Sequence, residues 1–461
     1  MTPDPGTELE TLHSAAQDIF LQALGACDVG KAFDRHLHFE GTSLIRHPSS
    51  ALKPVTIPLG TYKKVFIISF GKAGMSMLNA LLDRLPKKIH LRGVCSAPEA
   101  PKKRNWRIRY FTGGHPLPNE ESFEAAEAAL KLLKRARKDT FIFFLISGGG
   151  SAMLELPRNP KISLEDTIAF HETLIASGAT ITEINTIRKY FSAVKGGRLA
   201  LAAPAAEKLS LLLADVPLKD LGAVASSPTL PDQSTLEEFR EVLARYHLLD
   251  KFPSAVREYF ESIPPEVAAE THGATAEEAF AHTQFDTLLS NHDFVNAARD
   301  RAQQLGFRVI IDNACDDWDY ADASRYLLKR FHELRAEHPR LCLLSSGEVT
   351  VNLSPQPGCG GRNQQFALTS AFDLAKYESR PLAILSAGSD GIDGNSPAAG
   401  AIADTTTISR ARAYHFDPES NLTRFDTCPL FSALGDTIMT GPTGNNLRDL
   451  RILVATREEA K

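Results

Sequence analysis

The sequence predicts an α/β protein built as two domains with a cleft between them. Three observations carry that prediction. Short continuous apolar runs recur along the chain, each ending in a glycine-rich or acidic loop and usually followed by a helical pattern. Runs of that kind are strands of parallel sheets, buried on both faces. The 461 residues exceed what one core usually holds, at roughly 150 residues per domain. Finally, the stretch from Pro264 to Phe280 is acidic, alanine-rich and without strand character. It sets the boundary, so residues 1–285 form the first domain and 286–461 the second.

Taken in order, the elements follow from periodicity. Leu9, Leu12, Ala16, Ile19 and Ala23 repeat at helical spacing and predict a helix over residues 9–24. Val65–Phe70 is a β-branched and aromatic run that enters Gly71-Lys72-Ala73-Gly74. Phe141–Ile146 enters Ser147-Gly148-Gly149-Gly150-Ser151, and Leu209–Ala214 enters Asp215-Val216-Pro217. Between them, Thr180 and Glu183 form a capping box that starts a helix running to Lys195, which Gly196-Gly197 then stops. Strands resume at Phe285–Leu289, then Arg308–Ile311, Leu341–Ser345 and Leu382–Ala387. In open α/β sheets the loops at the carboxyl ends of the strands bind ligands. Here they hold most of the glycines and acids with candidate chemistry.

Composition narrows the function classes. Lys and Arg total 51 against 56 Asp and Glu, a formal charge of −5. A nucleic-acid binder would show a basic excess instead, so no nucleic-acid partner is expected. No apolar run approaches the roughly 18 residues of a membrane span, and no membrane partner is expected either. None of the six cysteines forms a C-x-x-C pair, which fits free thiols in a reducing compartment. The opening segment MTPDPGTELE resembles neither a secretory signal nor a transit peptide, so the expected location is cytoplasmic. The Walker-A loop, G-x-G-x-x-G, the kinase signatures, H-E-x-x-H and G-x-S-x-G are all missing from the sequence.

Six constellations remain. Ser147, Gly148, Gly149, Gly150 and Ser151 follow a buried strand. Three glycines let successive N–H groups turn toward one point, a concavity that binds anions. Lys72, at another strand end, could neutralise a carboxylate or a developing phosphoryl charge. Asn185, Arg188, Ser192 and Lys195 form a polar stripe at i, i+3, i+7 and i+10 beside the apolar face of their helix. Asp215, Glu348, Asp390 and Asp393 lie just past strands. Such carboxylates can converge on magnesium or take a proton from a hydroxyl, although Asp393 before a glycine also reads as a cap or turn. Arg362 follows Gly360-Gly361 and precedes two amides, and a guanidinium binds phosphate or carboxylate with two prongs. The loop from Thr440 to Asn446 adds hydroxyls and amides.

Together these blocks resemble the MOFRL-type glycerate kinases, the glycerate 2-kinase group. The resemblance runs from GKAGMSM at residue 71 to TGPTGNNLRDLRILV at 440–454. Between them stand GGHPLPNE, LISGGGSAML, INTIRKYFSAVKGGRLA, SPTLPDQST, GGRNQQFAL and SDGIDG. It implies a larger Rossmann-like N-terminal domain, a smaller C-terminal α/β (MOFRL) domain and an active site in the cleft between them. It also implies ATP-dependent phosphorylation of D-glycerate to 2-phosphoglycerate and ADP. Lys72 and Arg362 match the family's catalytic lysine and arginine, and Asp215, Glu348, Asp390 and Asn446 match other cleft residues. Where the family reads ASGPT, this chain reads Ala225-Ser226-Ser227-Pro228-Thr229.

The expected mechanism places Lys72 and Arg362 on either side of the transferring phosphoryl group. Ser147–Ser151, with Asn185, Arg188 and Lys195, holds an anionic group of glycerate or nucleotide. Asp215, Glu348 or Asp390 holds Mg2+ or accepts the C2 hydroxyl proton, Asp215 being the catalytic candidate. The chain is expected to act as a monomer or homodimer. Alternative readings are a hydroxypyruvate or tartrate oxidoreductase and a non-catalytic small-anion binder.

Overall fold

The computed structural model describes residues 5–48, 53–214, 224–264, 274–352, 356–377 and 381–456. The chain divides into two compact units. One comprises residues 29–288; the other joins residues 1–28 to 289–461.

Within the 29–288 unit, a small antiparallel sheet of β1 (Leu37–Glu40), β2 (Ser43–Arg46) and β3 (Val55–Ile57) comes first. The main sheet contains β4 (Lys64–Phe70), β5 (Leu91–Ala97), β6 (Ile108–Thr112), β7 (Thr140–Ile146), β8 (Glu207–Ala214) and β9 (Thr283–Ser290). Its spatial order is β6-β5-β4-β7-β8-β9, and β4 pairs in parallel with both β5 and β7. Counted from β4, this is the doubly wound order 3-2-1-4-5-6, whose topological switch point lies between the first and fourth strands. The apolar runs Val65–Phe70 and Phe141–Ile146 are therefore neighbours, and all of Phe141–Ile146 is buried. The core between this sheet and its helices includes Phe66, Ile68, Phe70, Ile142, Phe144 and Ile146.

A second, helical core in the same unit holds Phe170, Phe191, Phe239, Phe252 and Phe260. The rings of Phe170 and Phe191 stack with centroids 4.1 Å apart. These contacts seat the helix Ile181–Phe191, which begins as expected: Thr180 and Glu183 make the reciprocal capping box. It ends four residues earlier than its predicted end at Lys195. Ser192 is extended, with ψ of 140°, so Lys195 does not continue the polar stripe.

The other unit contains β10 (Arg308–Ile311), β11 (Leu341–Gly347), β12 (Leu382–Gly388), β13 (Gly400–Asp404), β14 (Thr437–Ile438) and β15 (Asp449–Ala455). Its order is β10-β11-β15-β12-β13-β14. Only β10 and β11 pair in parallel; β15 runs antiparallel to both β11 and β12. The expectation of parallel sheets throughout fails here for a physical reason. An apolar run reports burial on both faces, not strand direction.

The predicted single cut after residue 285 also differs from the observed division. The helix Pro5–Ala26 packs on the helix Asn291–Gln304. Phe20 meets Phe294 edge-on with centroids 5.9 Å apart, and Arg301 Nε contacts Asp18 Oδ2 at 2.6 Å.

Candidate active site

At the switch point of the parallel sheet, the loops after β4 and β7 are knit together. Lys72 N–H donates to the Gly148 carbonyl at 2.8 Å, and Ala73 N–H donates to Ser147 Oγ at 2.9 Å. Gly149 has φ of +77°, and a Cβ there would lie 2.9 Å from His115 Cδ2 and 3.2 Å from Lys72 Cγ. The glycine is required on both counts, conformation and space. It lets the Lys72 stem and the His115 ring close on the loop.

A cavity of about 260 Å³ opens above this loop, within the 29–288 unit. Gly148, Gly149, Ser151, His115, Asn185 and Arg188 help to line it. Five of the predicted ligand residues are thus brought together. Ser147 and Gly150 are not among its lining: both are buried, Ser147 because its hydroxyl accepts the Ala73 N–H. Asn185 Oδ1 accepts from Ser226 Oγ at 2.9 Å, and the Ser226 and Ser151 hydroxyls are hydrogen-bonded at 2.7 Å. Ala225, Ser226 and Ser227 all hold positive φ, between 48° and 59°. Three consecutive left-handed non-glycine residues are strained, of a kind that clusters at functional sites.

Lys195 is the clearest departure from expectation. Its ammonium lies 2.5 Å from Glu155 Oε2, both side chains being fully buried. His171 Nε2 approaches the same oxygen at 3.2 Å. The cation is thereby committed to a structural network instead of the cavity wall. Burial alone would raise the Glu155 value, but the Lys195 charge and the His171 contacts outweigh it and hold it at about 2. Burial pushes His171 down to about 4 despite the adjacent carboxylate. Burial also lowers the Arg188 value, opposed by the Glu155 charge.

In the other unit, sheet register builds a charged cluster. Asp449, the first residue of β15, lies opposite both Gly347 and Gly388, the last residues of β11 and β12. Arg362 opens the helix Arg362–Leu374. Its guanidinium donates to Asp449 Oδ2 from Nε at 2.6 Å and to Oδ1 from Nη2 at 3.1 Å. Glu348 Oε1 sits 2.9 Å from Nη2. Burial works against the charge, but these two carboxylates overcome it and keep Arg362 ionised well above the ordinary range. Asp393 accepts the backbone N–H groups of Asn363 and Gln364, at 3.0 and 2.9 Å, and both side-chain amides. It thus caps the arginine's helix from outside, where the N-cap residue, Gly361, has no side chain to do so. Asp390 Oδ1 accepts from Ile392 N–H at 3.2 Å and lies, like Asp449 Oδ1, beside Gly388. Asn446 is buried in the same unit, its N–H donating to Asn445 Oδ1.

Asp215 lies outside the described residues. Of the other expected magnesium ligands, Glu348 is engaged by Arg362. Among the described residues, no three His, Cys, Asp or Glu side chains gather where they could hold a metal ion. A magnesium ion here would need nucleotide phosphates and waters beside any carboxylate of the chain.

Sequence reasoning missed His115, Glu155, His171 and Asp449. His115 stands in the GGHPLPNE block and could have been found there. Glu155, in LELP, and His171, in the middle of a helix, carry no local signal, because their meaning comes from residues far away in the chain. Asp449 could have been noticed as an acid opening a fully buried apolar strand.

Two family models match the chain: one described as "Domain of unknown function (DUF4147)" over residues 15–261 and one described as "MOFRL family" over residues 341–449. The chain is 34% identical to the glycerate 2-kinase of Pyrococcus horikoshii, over 86% of this chain and 89% of that protein. At 34% identity, a protein of Agrobacterium vitis carrying a hydroxypyruvate reductase name matches 84% of this chain and 86% of its own length. The crystal structure of the glycerate kinase of Thermotoga maritima superposes with a TM-score of 0.78 at 29% identity, covering 97% of this chain and all of that one. Fold, ordered motifs and relatives agree: the chain belongs to the MOFRL-type glycerate kinase family, and it is a kinase.

Proposed function

We propose that the protein transfers the γ-phosphoryl group of ATP to the C2 hydroxyl of D-glycerate, giving 2-phosphoglycerate and ADP. The observation that carries this reading is the switch-point cavity: glycine backbone, Asn185 and Arg188 line a space sized for a small acid, and the Lys72 stem lies against the same glycine loop. Phosphoryl transfer needs positioning and charge stabilisation more than covalent chemistry. Lys72 supplies a positive charge beside the glycine loop and stabilises the phosphoryl oxygens as charge develops on them. Arg362 serves the same charge from a guanidinium that two carboxylates hold in a fixed plane. The C2 proton passes to a carboxylate, Asp215, Glu348 or Asp390 being the candidates. Magnesium would arrive with the nucleotide and neutralise its phosphates.

A coupled assay for ADP release with D-glycerate, followed by NMR of the product to locate the phosphate, tests the proposal. Absence of ADP release would sink it; phosphate on C3 would correct the regiochemistry. One relative's reductase name favours a second reading, hydroxypyruvate reduction, against which stands the missing G-x-G-x-x-G loop. Oxidation of NADH with hydroxypyruvate separates the two.

A further inference from the structure

The cavity above Gly148 and Gly149 carries more information than its position. We infer that it is the seat of the substrate's carboxylate, with Arg188 as the anchor, and that this seat selects small 2-hydroxy acids over uncharged polyols. The inference rests on the kinase reading and adds which end of the substrate lies where.

Charge is the first argument. Arg188 contributes a guanidinium to the cavity wall, while no Asp or Glu is among the described lining residues. Arg188 Nε is buried and meets no hydrogen-bond acceptor. Buried polar groups without partners are rare and costly in native proteins. An orphaned guanidinium donor at a cavity wall is accounted for when an anion completes it.

The second argument explains why Arg188 Nε has no hydrogen-bond partner inside the protein. Glu155, the carboxylate whose charge acts on Arg188, has Oε2 occupied by Lys195 at 2.5 Å and His171 at 3.2 Å, and Oε1 by the Leu156 N–H at 2.9 Å. These contacts hold the acid that would otherwise capture Arg188. Lys195 thus acts as a positioning residue, keeping the arginine available instead of binding ligand itself.

Size and direction supply the third argument. About 260 Å³ falls below the roughly 300–1,000 Å³ of sites for drug-sized ligands. A three-carbon acid fits the space. Gly149 separates the His115 ring from the Lys72 stem. A carboxylate on Arg188 therefore leaves the rest of a short substrate reaching toward Lys72, where a phosphoryl acceptor is needed. Asn185, fixed through Ser226, stands one helical turn from Arg188 and can read a hydroxyl.

Steady-state kinetics on the full chain test the inference. Arg188→Gln should raise the KM for D-glycerate about 100-fold, as expected for losing a charge-assisted hydrogen bond, and leave the KM for ATP within about twofold. Arg188→Lys should recover part of the loss. In the wild type, methyl D-glycerate, which keeps the hydroxyls and lacks the charge, should show a kcat/KM about 100-fold lower. The ester comparison needs no variant and stands if Arg188→Gln fails to fold. An unchanged glycerate KM in folded Arg188→Gln, a shift in the ATP KM alone, or equal turnover of acid and ester would each overturn the inference. If the wild type released no ADP at all, the kinase reading would fail. The seat would then still be tested by calorimetric titration of D-glycerate into wild type and Arg188→Gln.

Discussion

Lys72 follows a strand and Arg362 opens a helix, and the surroundings of these two cations differ. The Lys72 N–H donates to the Gly148 carbonyl and its stem lies against Gly149, whereas the Arg362 head is clamped by Asp449 and Glu348. Lys72→Ala should therefore lower kcat about 10²–10³-fold, by analogy with other preorganised donors, with the thermal transition unmoved. Near-normal turnover in that variant would remove Lys72 from the mechanism. Arg362→Lys keeps the charge but loses the two-pronged contact with Asp449. Its kcat should fall at least about tenfold, and a smaller fall would make the planar grip dispensable. Both residues were legible in the sequence because glycines flank them, at a strand end for Lys72 and before a helix for Arg362. Glu155, His171 and Asp449 were not legible. Their roles depend on partners brought near by folding, and a single acid or histidine in an apolar stretch says nothing about its partner.

At the scale of elements, the helix Arg362–Leu374 depends on a carboxylate outside it. Asp393 satisfies its first N–H groups, although burial pushes this acid up to about 6 against those donors. Asp393→Ala should cost about 1–2 kcal/mol, read from denaturant midpoints. It should also lower kcat, because Arg362 is the first residue of that helix. Lost stability with kcat intact would show that the cap does not orient the arginine. Element starts were read well from capping chemistry, as at Thr180. Element ends were read less well. The helix predicted to run to Lys195 stops at Phe191, since its continuation pairs with Pro157 and Leu156 backbone instead. The polar residues past that point keep helical spacing by coincidence, and β5, interrupted by Arg92 and Gly93, gave no clean run to recognise.

At the scale of the molecule, the buried Glu155–His171–Lys195 network ties stability to pH. In the folded chain His171 is held near 4, while an unfolded histidine takes its proton near 6.5. The unfolded state therefore binds more protons between these values, and stability falls as pH drops through that window. Glu155 acts in the same sense lower down, between 4.5 and about 2. The 29–288 unit should lose on the order of 1–3 kcal/mol between pH 7 and pH 4. His171→Gln should flatten the upper part of that profile, and an unchanged slope in the variant would assign the loss to other groups. The division of the chain gives a separate expectation. Phe20 is fully buried against Phe294, and Phe20→Ala should cost about 3–5 kcal/mol. Hydrogen exchange should accelerate in β11, β12 and β15 and not in β4 and β7; acceleration in both sheets would mean that the units unfold as one.

The placement of the first helix has a consequence for biosynthesis. Residues 5–26 leave the ribosome before any of the strands they pack on, and the last of those strands, β15, ends only at residue 455. At roughly 5–20 residues per second, the helix waits on the order of half a minute with Leu12, Ile19 and Phe20 uncovered. Meanwhile the nascent chain completes the whole 29–288 unit behind it. Until β15 is made, the nascent chain thus carries an uncovered greasy helix, an open invitation to chaperones that survey emerging polypeptides.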